Sequence, residues 1–274
     1  MDAGAAAGVA AISDQPSASS SQLCIMLDVP AYLDRVGYTG PAAPTSDTLR
    51  AIHQAHLLTV PFENLDIALR RKIVVDEDAF VRKIVERRRG GFCYELNGAF
   101  AALLRALGFQ VTLLSARVAR SGGGEGPEFD HLTLRVDLDQ PWLADVGFGE
   151  SFLEPLCLQA GVEQRDPVGT FRLVQIEERL RLEKAEGEGW KNQYSFALRP
   201  RHLEEFAGMC HYHQTSPESH FTQNNICSRA TPGGRVTLAG MKLIVASNGR
   251  REQRVLESEQ QWRRALKKHF GIVL

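Results

Sequence analysis

The chain has 274 residues and a formal net charge of −1, and hydrophobic residues make up 43% of it and charged residues 24%. This composition is ordinary for a globular protein with a large core, and the balanced charge gives no reason to predict a nucleic acid or an anionic membrane as partner. No apolar run reaches the length of a membrane span, and residues 1–22 lack the basic start and long apolar stretch of a signal peptide. The five cysteines are widely spaced without a CxxC pair, which predicts neither a zinc site nor a disulfide framework and favours a reducing cytoplasm.

The first third of the chain is predicted to be mainly helical. Residues 1–22, rich in Ala, Ser and Gly, are predicted to be a disordered or loosely attached extension, and residues 23–108 to form helices. Residues 45–47 (TSD) are expected to cap one helix, which ends before Pro61. Residues 76–88 predict an amphipathic helix with Lys83 on its polar side, and the arginines at 87–89 are interpreted as a solvated helix end.

From residue 109 the hydrophobic period changes to two. Residues 109–113 and 132–138 alternate as half-buried strands do, and short strands are also predicted within 171–182 and 194–198. Antiparallel strands at this spacing predict a small barrel or sandwich over residues 109–198. Residues 199–274 mix helical and strand patterns, and the chain is expected to end in a helix that starts at 258–261 (SEQQ) and stops near Gly271.

A cysteine stands in the run RGGFCYELN at residues 89–97. Apolar residues then repeat at helical spacing up to Gly108, so Cys93 is predicted to lie at a helix N-terminus. The unpaired N–H groups there favour a negative charge, and the thiol is expected to be biased toward the nucleophilic thiolate. The alternative is a small buried hydrophobic residue, the usual role of a free cysteine.

Two further residues fit a cysteine nucleophile. His131 opens a predicted strand, and Asp145 follows an apolar run and precedes two glycines, at 147 and 149. A carboxylate in apolar surroundings needs a partner, and the hairpin-like spacing allows an imidazole from the neighbouring strand to provide it. Cys93, His131 and Asp145 therefore match the logic of a Cys–His–Asp triad, although a solvent-facing strand histidine is an alternative for His131.

The residues around this triad resemble a known family. Residues 89–97 are very similar to the active-site signature of the arylamine N-acetyltransferases, prokaryotic type. Residues 60–65 (VPFENL), 130–132 (DHL) and 145–149 (DVGFG) resemble three more hallmarks in the family's order, and 214–221 (QTSPESHF) resembles a C-terminal segment. The resemblance spans about residues 23–274. It implies an α+β fold of three parts: an N-terminal helical bundle (23–108) carrying the nucleophile, a central antiparallel β-barrel (109–198) carrying His and Asp, and a C-terminal α/β lid (199–274).

The resemblance also implies an activity. It predicts an acyltransferase that moves acetyl from acetyl-CoA, through a thioester on Cys93, to an arylamine, arylhydroxylamine or arylhydrazine, as in xenobiotic metabolism. By motif position Cys93 is the nucleophile, His131 the base and Asp145 the group that orients it. The implied partners are small aromatic amines or hydrazines and coenzyme A, and the implied assembly is a monomer or homodimer.

Further positions follow from the same resemblance. Glu63 and Arg89 match two charged hallmark positions and are predicted to pair and to hold the cysteine loop. No metal site is predicted. The candidates for an aromatic substrate pocket are Phe62, Phe148, Phe152 and Phe221. The candidates for contacts with coenzyme A, in a cleft between barrel and lid, are Gly147, Tyr212, Ser219 and His220.

Three other functions remain open from the sequence. A cysteine hydrolase or amidase uses the same triad, with water in place of the amine. A family member with another acyl-CoA donor, or one that makes an amide in biosynthesis, would keep the chemistry and change a substrate. A binding module that kept the fold without catalysis is the third, although it would have no need of all three triad residues.

Overall fold

The computed structural model describes Met1 and residues 27–274, so the predicted extension at residues 1–22 lies, apart from Met1, outside the described residues. Helices dominate up to residue 106. They are α1 (Val29–Val36), α2 (Ser46–Thr59), α3 (Leu65–Ala68), α4 (Glu77–Val81), which continues as a π-helical turn (Arg82–Glu86), and α5 (Cys93–Ala106). The predicted cap is confirmed, because the Thr45 hydroxyl accepts a hydrogen bond from the Thr48 N–H at 3.2 Å.

An eight-stranded antiparallel sheet follows and curls into an almost closed barrel. Its strands are β2 (Gln110–Val118), β3 (His131–Asp137), β4 (Pro141–Ala144), β5 (Leu156–Cys157), β6 (Glu163–Asp166), β7 (Gly169–Ile176), β8 (Arg179–Glu186) and β9 (Gly189–Phe196). The strand order is β5-β4-β3-β2-β9-β8-β7-β6. The pairing of β3 with β4 sets Leu134 opposite Ala144, so the start of β3 and the residue after β4 lie side by side.

The last part combines a sheet with helices. A 3₁₀ turn (Leu203–Phe206) leads into α6 (Ala207–Thr215) and α7 (His220–Gln223). A five-stranded sheet then joins β1 (Phe62–Glu63) to β10 (Ile226–Thr231), β11 (Gly234–Ala239), β12 (Lys242–Ser247) and β13 (Arg250–Val255). The terminal helix α8 (Glu259–Phe270) starts after a Ser258 cap and ends at Gly271, whose φ is +70°, as the sequence predicts.

Helix α5 connects the helical part to the barrel. Its side chains are buried almost throughout, and they share one core with apolar residues of β2, β3 and β4. A second core fills the barrel, and a third lies between α8 and the C-terminal sheet. These parts give the α+β fold that the sequence predicts, while the exact boundaries at residues 22, 108 and 198 stay predictions.

Two sequence interpretations in the helical part are wrong. Lys83 was expected on a polar helix face and Arg89 at a solvated helix end, yet each is about 6% exposed. Both cations lie among buried carboxylates, which compensate the loss of hydration. Arg87 and Arg88, by contrast, are exposed. Within residues 27–274, no helix combines the length and apolar character needed to cross a membrane.

Candidate active site

Cys93 is the first residue of α5, as the sequence predicts. The glycines before it allow a close approach of two chain segments. A Cβ at Gly90 would overlap the Pro61 carbonyl oxygen, and a Cβ at Gly91 would lie 2.6 Å from Cβ of Glu95. Any side chain at either position would therefore displace the start of the helix.

The ionisation of Cys93 depends on its burial as well as on the helix N-terminus. The thiol is 4% exposed, and burial raises its pKa well above the usual range, while a hydrogen bond from the Leu132 N–H lowers it. Desolvation therefore opposes the thiolate that the helix N-terminus favours, and the predicted bias toward thiolate stays a prediction. A thiolate forms here only with a group that takes its proton.

His131 and Asp145 form a buried pair beside Cys93. The imidazole Nε2 lies 2.7 Å from Oδ2 of Asp145, and both residues are at most 2% exposed. His131 therefore does not face solvent. Because Nε2 is engaged by the carboxylate, Nδ1 is the ring nitrogen left for proton exchange.

Asp145 is held by several donors. The Asn97 amide donates to its Oδ1 at 2.8 Å, the Gly147 N–H donates to the same oxygen at 3.0 Å, and the Tyr194 hydroxyl donates to Oδ2 at 2.8 Å. Burial alone would raise the pKa of Asp145, but His131 and these donors outweigh it and lower the pKa. The carboxylate therefore stays ionised and keeps the imidazole oriented.

Asn97 also fixes the Cys93 helix against the barrel. It lies one turn after Cys93 on α5, and its amide donates to the Leu132 carbonyl at 2.6 Å and accepts from the Val146 N–H at 2.9 Å. Because Cys93 and Asn97 share a helix face, the thiol lies at the junction where β3 starts and β4 ends.

A second histidine supports the chain at Asp145. His53 Nε2 accepts from the Asp145 N–H at 3.0 Å, and its Nδ1 lies 2.9 Å from the Leu153 carbonyl oxygen. The proton must therefore be on Nδ1. Burial lowers the pKa of His53 to about 4, so this imidazole is a neutral structural group.

A buried ionic cluster lies on the other side of the Cys93 loop. The predicted contact between Glu63 and Arg89 is present, since the Arg89 guanidinium lies 2.7 Å from Oε1 of Glu63, and it also donates to Asp66 at 3.1 Å. Lys83 Nζ lies 2.7 Å from Glu95 and 2.8 Å from Asp66. Burial raises the pKa of Glu95 to about 7, although Lys83 opposes this shift.

The aromatic candidates do not all lie together. Phe148 is half-buried, and its ring meets the His131 ring edge to face at 5.2 Å between centroids. Phe62 and Phe221 are half-buried with their rings 6.1 Å apart, and Phe221 also packs on Phe92, beside Cys93. Phe152 is completely buried in the barrel, where it stacks on His53, so nothing in its surroundings supports a contact with substrate.

The positions predicted to contact coenzyme A are also scattered. Gly147 is buried, and a Cβ there would lie 2.8 Å from the Cys93 Cα. Ser219 is buried and caps α7, with its hydroxyl 3.2 Å from His213 Nδ1. Tyr212 and His220 lie on the surface. Gly147 alone is thus placed next to the cysteine. Among the described residues, no group of three His, Cys, Asp or Glu side chains is arranged to hold a metal ion.

Several residues of this site were missed in the sequence. Asn97 had a signal, because it is a polar residue one helical turn after the cysteine on a largely apolar helix. Glu95 also had one, as the third residue of a helix. Tyr194, His53 and Lys83 had none, because strand alternation and helix periodicity do not show which polar side chain turns toward a distant carboxylate.

Comparisons with known proteins identify the family. A family model described as N-acetyltransferase matches residues 45–274. The arylamine N-acetyltransferase / N-hydroxyarylamine O-acetyltransferase of Salmonella typhimurium is 39% identical over 211 residues, which cover 76% of this chain and 75% of the relative. The solved structure of the arylamine N-acetyltransferase from Salmonella typhimurium superposes with a TM-score of 0.84 at 35% identity, covering 89% of this chain and 90% of the other.

A structure of Mycobacterium marinum arylamine N-acetyltransferase in complex with CoA also has a TM-score of 0.84, at 32% identity over 89% of this chain and 93% of the other. The family match, the sequence relatives and the shared fold agree with one another. The chain belongs to the arylamine N-acetyltransferase family of acyltransferases.

Proposed function

We propose that this chain transfers acetyl from acetyl-CoA to arylamines, arylhydroxylamines or arylhydrazines through a thioester on Cys93. The observation that carries the proposal is the buried His131–Asp145 pair at 2.7 Å beside the start of the Cys93 helix, in a member of this family. A buried thiol with a raised pKa is a poor nucleophile alone, so a neighbouring imidazole is what this geometry requires.

In the first half-reaction His131 accepts the Cys93 proton as Sγ attacks the thioester carbonyl of the donor. The new S–C bond forms, the bond between the acetyl carbon and the coenzyme A sulfur breaks, and the departing sulfur takes the proton from His131. One thioester replaces another, so the covalent intermediate divides the transfer into two accessible steps.

In the second half-reaction the amine nitrogen attacks the acetyl carbon on Cys93. His131 takes the proton that the amine loses, the S–C bond breaks, and the proton returns to the Cys93 sulfur. Asp145 keeps its charge throughout and orients the imidazole, as its lowered pKa supports. A flat, neutral arylamine suits the half-buried rings of Phe148, Phe62 and Phe221 near this junction.

For coenzyme A we propose the cleft between barrel and lid, with Gly147, Tyr212, Ser219 and His220 as candidates along it. Two further elements of the proposal follow from the chemistry. A reactive thiol works only when reduced, which suits the cytoplasm. Acetylation of foreign aromatic amines, a xenobiotic role, is the physiological use that the acceptor class favours.

Mass spectrometry after mixing with acetyl-CoA alone tests the proposal. We expect an acetyl adduct on the Cys93 peptide that is absent from Cys93→Ala and is discharged by an arylamine such as anisidine. Cys157→Ala is the matched control, because Cys157 is a partly exposed thiol without a histidine–carboxylate pair, and it should acetylate normally. An adduct that hydrolyses rapidly regardless of amine would identify a hydrolase, and absence of any adduct would identify a binding module.

A further inference from the structure

Glu95 holds the peptide group between Gly91 and Phe92, just before the nucleophile. It is the third residue of α5, and its Oε2 accepts a hydrogen bond from the Phe92 N–H at 3.1 Å. The side chain folds back beneath Gly91, where any Cβ would collide with it. The position of the Cys93 backbone therefore depends on where the Glu95 carboxylate lies.

Lys83 in turn holds Glu95. Its Nζ lies 2.7 Å from Oε1 of Glu95, the oxygen that is not used by Phe92. The same ammonium contacts Asp66 at 2.8 Å and lies 3.9 Å from Glu63. The Lys83 carbonyl oxygen also accepts from the Arg89 N–H at 3.1 Å, so both ends of this residue fix the cysteine loop.

The charges of this cluster explain why the cation matters. Three carboxylates, Glu63, Asp66 and Glu95, share two buried cations, Lys83 and Arg89, in a region with almost no exposure to water, and the exposed Arg71 reaches only Asp66, at 3.9 Å. Arg89 pairs with Glu63 and Asp66, which leaves Lys83 as the cation that contacts Glu95. Without Lys83, Glu95 would be a buried carboxylate beside two others, and it could not stay in place as a charged acceptor.

We propose that Lys83 and Glu95 are positioning residues for Cys93, with Lys83 fixing the carboxylate that anchors the Gly91–Phe92 peptide group. The inference rests on the proposed role of Cys93 as nucleophile and adds two residues to it. Neither side chain touches the reacting atoms, and each acts through the Phe92 N–H.

Hydrogen-bond counting gives this proposal a distinctive test. In Glu95→Gln the side chain has one oxygen for two donors, and the charged Lys83 ammonium takes it, which leaves the amide NH₂ facing the Phe92 N–H. In Lys83→Met the carboxylate loses its cation. In the double variant K83M/E95Q the amide oxygen is free again to accept from Phe92.

The experiment measures the rate of alkylation of Cys93 by iodoacetamide, read by mass spectrometry of its peptide in the full chain. We expect E95Q and K83M each to be at least about fivefold slower than wild type, and the double variant to be faster than either single variant. Lys72→Met, which removes an exposed lysine, is the matched control and should alkylate at the wild-type rate.

Two other buried cysteines show whether a variant has only loosened the fold. Cys210 and Cys227 are buried, so general loosening of the fold would increase their alkylation, whereas loss of positioning slows Cys93 and leaves them protected. The inference would be overturned if the two single-variant reductions in the Cys93 alkylation rate multiply in the double variant. A wild-type rate in K83M would also overturn it.

Hydrogen exchange covers the case in which K83M does not fold. E95Q retains Lys83 with its Asp66 partner, and in this variant the Phe92 amide should exchange faster while the Leu104 amide, in the last turns of α5, keeps its protection. An unchanged Phe92 amide would also overturn the inference. If the variants show this coupling but the wild-type chain forms no acetyl adduct on Cys93, the result would contradict the proposed function alone.

Discussion

The Asn97 side chain joins the helix that carries Cys93 to the carboxylate of Asp145, with its amide 2.8 Å from Oδ1. The same amide group bonds the Leu132 carbonyl and the Val146 N–H, so one residue makes three buried hydrogen bonds across the junction. A side chain that takes no part in proton transfer thus links the helix that carries the thiol to the carboxylate.

Asn97→Ala should therefore lower both stability and activity. Removing the amide takes the acceptor from the buried Val146 N–H and one donor each from the Leu132 carbonyl and from Oδ1 of Asp145, which keeps the Gly147 N–H; this costs about 2–4 kcal/mol of unfolding free energy. We expect kcat/KM for acetyl transfer to fall at least tenfold, because misplacement at the reacting centre is costly. Urea unfolding and steady-state kinetics measure the two effects. Asn225→Ala, at an exposed position, should change the unfolding free energy by less than about 0.5 kcal/mol.

Tyr194→Phe isolates one donor to Asp145. The change removes the 2.8 Å bond to Oδ2 and leaves the ring, which packs on His131 and Phe148. We expect a loss of about 1–2 kcal/mol in stability and a higher pKa for Asp145, because a hydrogen bond to the charged form is lost. The acid side of the pH–rate profile should move to higher pH. A profile that coincides with wild type would show that Tyr194 does not stabilise the carboxylate.

The sequence predicted much of this site because short motifs carry local information. The helix start at Cys93, the strand start at His131 and the contact between Glu63 and Arg89 all follow from the residues themselves or from their resemblance to a family. Lys83 was misplaced because periodicity assigns a lysine to the solvent side. Its burial depends on carboxylates 12 and 17 residues away, at Glu95 and Asp66, and that convergence is a tertiary property.

The desolvation of Cys93 could not be predicted from the sequence for a related reason. A helix N-terminus is visible in a sequence, but the barrel strands that cover the thiol are not. Burial raises the pKa of the thiol and so opposes the effect of the helix N-terminus. The edge strand β13 was also missed, because its residues are all exposed and charged residues dominate it, leaving no apolar alternation.

Arg89→Ala tests the buried ionic cluster by removing Arg89, its second buried cation. Glu63 and Asp66 would lose their shared guanidinium while remaining buried, which costs about 3–5 kcal/mol. We expect lower thermal stability and reduced acetyl transfer, since the residues before Cys93 lose their anchor. Arg87→Ala changes an exposed arginine in the same run and should have little effect. Full activity and stability in Arg89→Ala would refute the view that this pair holds the cysteine loop.

Gly147→Ala should disrupt the junction sterically. The added Cβ would lie 2.8 Å from the Cys93 Cα and 2.7 Å from the Asn97 amide nitrogen, distances that force the loop after β4 away from α5. We expect at least a tenfold loss of acetyl transfer and a destabilisation of about 1–3 kcal/mol. Gly208→Ala is the matched control, because a Cβ at that helical position meets no atom within 4 Å and should be neutral or stabilising. Normal rates in Gly147→Ala would show that the loop can move without cost.

The titration of Glu95 should make the unfolding free energy depend on pH. Burial raises its pKa from 4.5 to about 7 in the folded chain, so the folded state binds more protons than the unfolded state between these values. The contribution of Glu95 to the unfolding free energy therefore falls by on the order of a few kcal/mol as pH rises from about 4.5 to 7, and it is constant above that range. Asp145 and Asp66 have lowered pKa values, so their contributions change only at more acidic pH.

Urea unfolding at half-unit steps between pH 5 and pH 8 measures this slope. Glu95→Gln cannot titrate, so its unfolding free energy should vary less with pH than that of wild type over the range below pH 7, whatever its absolute stability. Glu205→Gln, an exposed carboxylate in the 3₁₀ turn, should keep the wild-type slope because its pKa is lowered rather than raised. Parallel curves for wild type and Glu95→Gln would mean that Glu95 remains ionised through this range, with Lys83 compensating its burial completely.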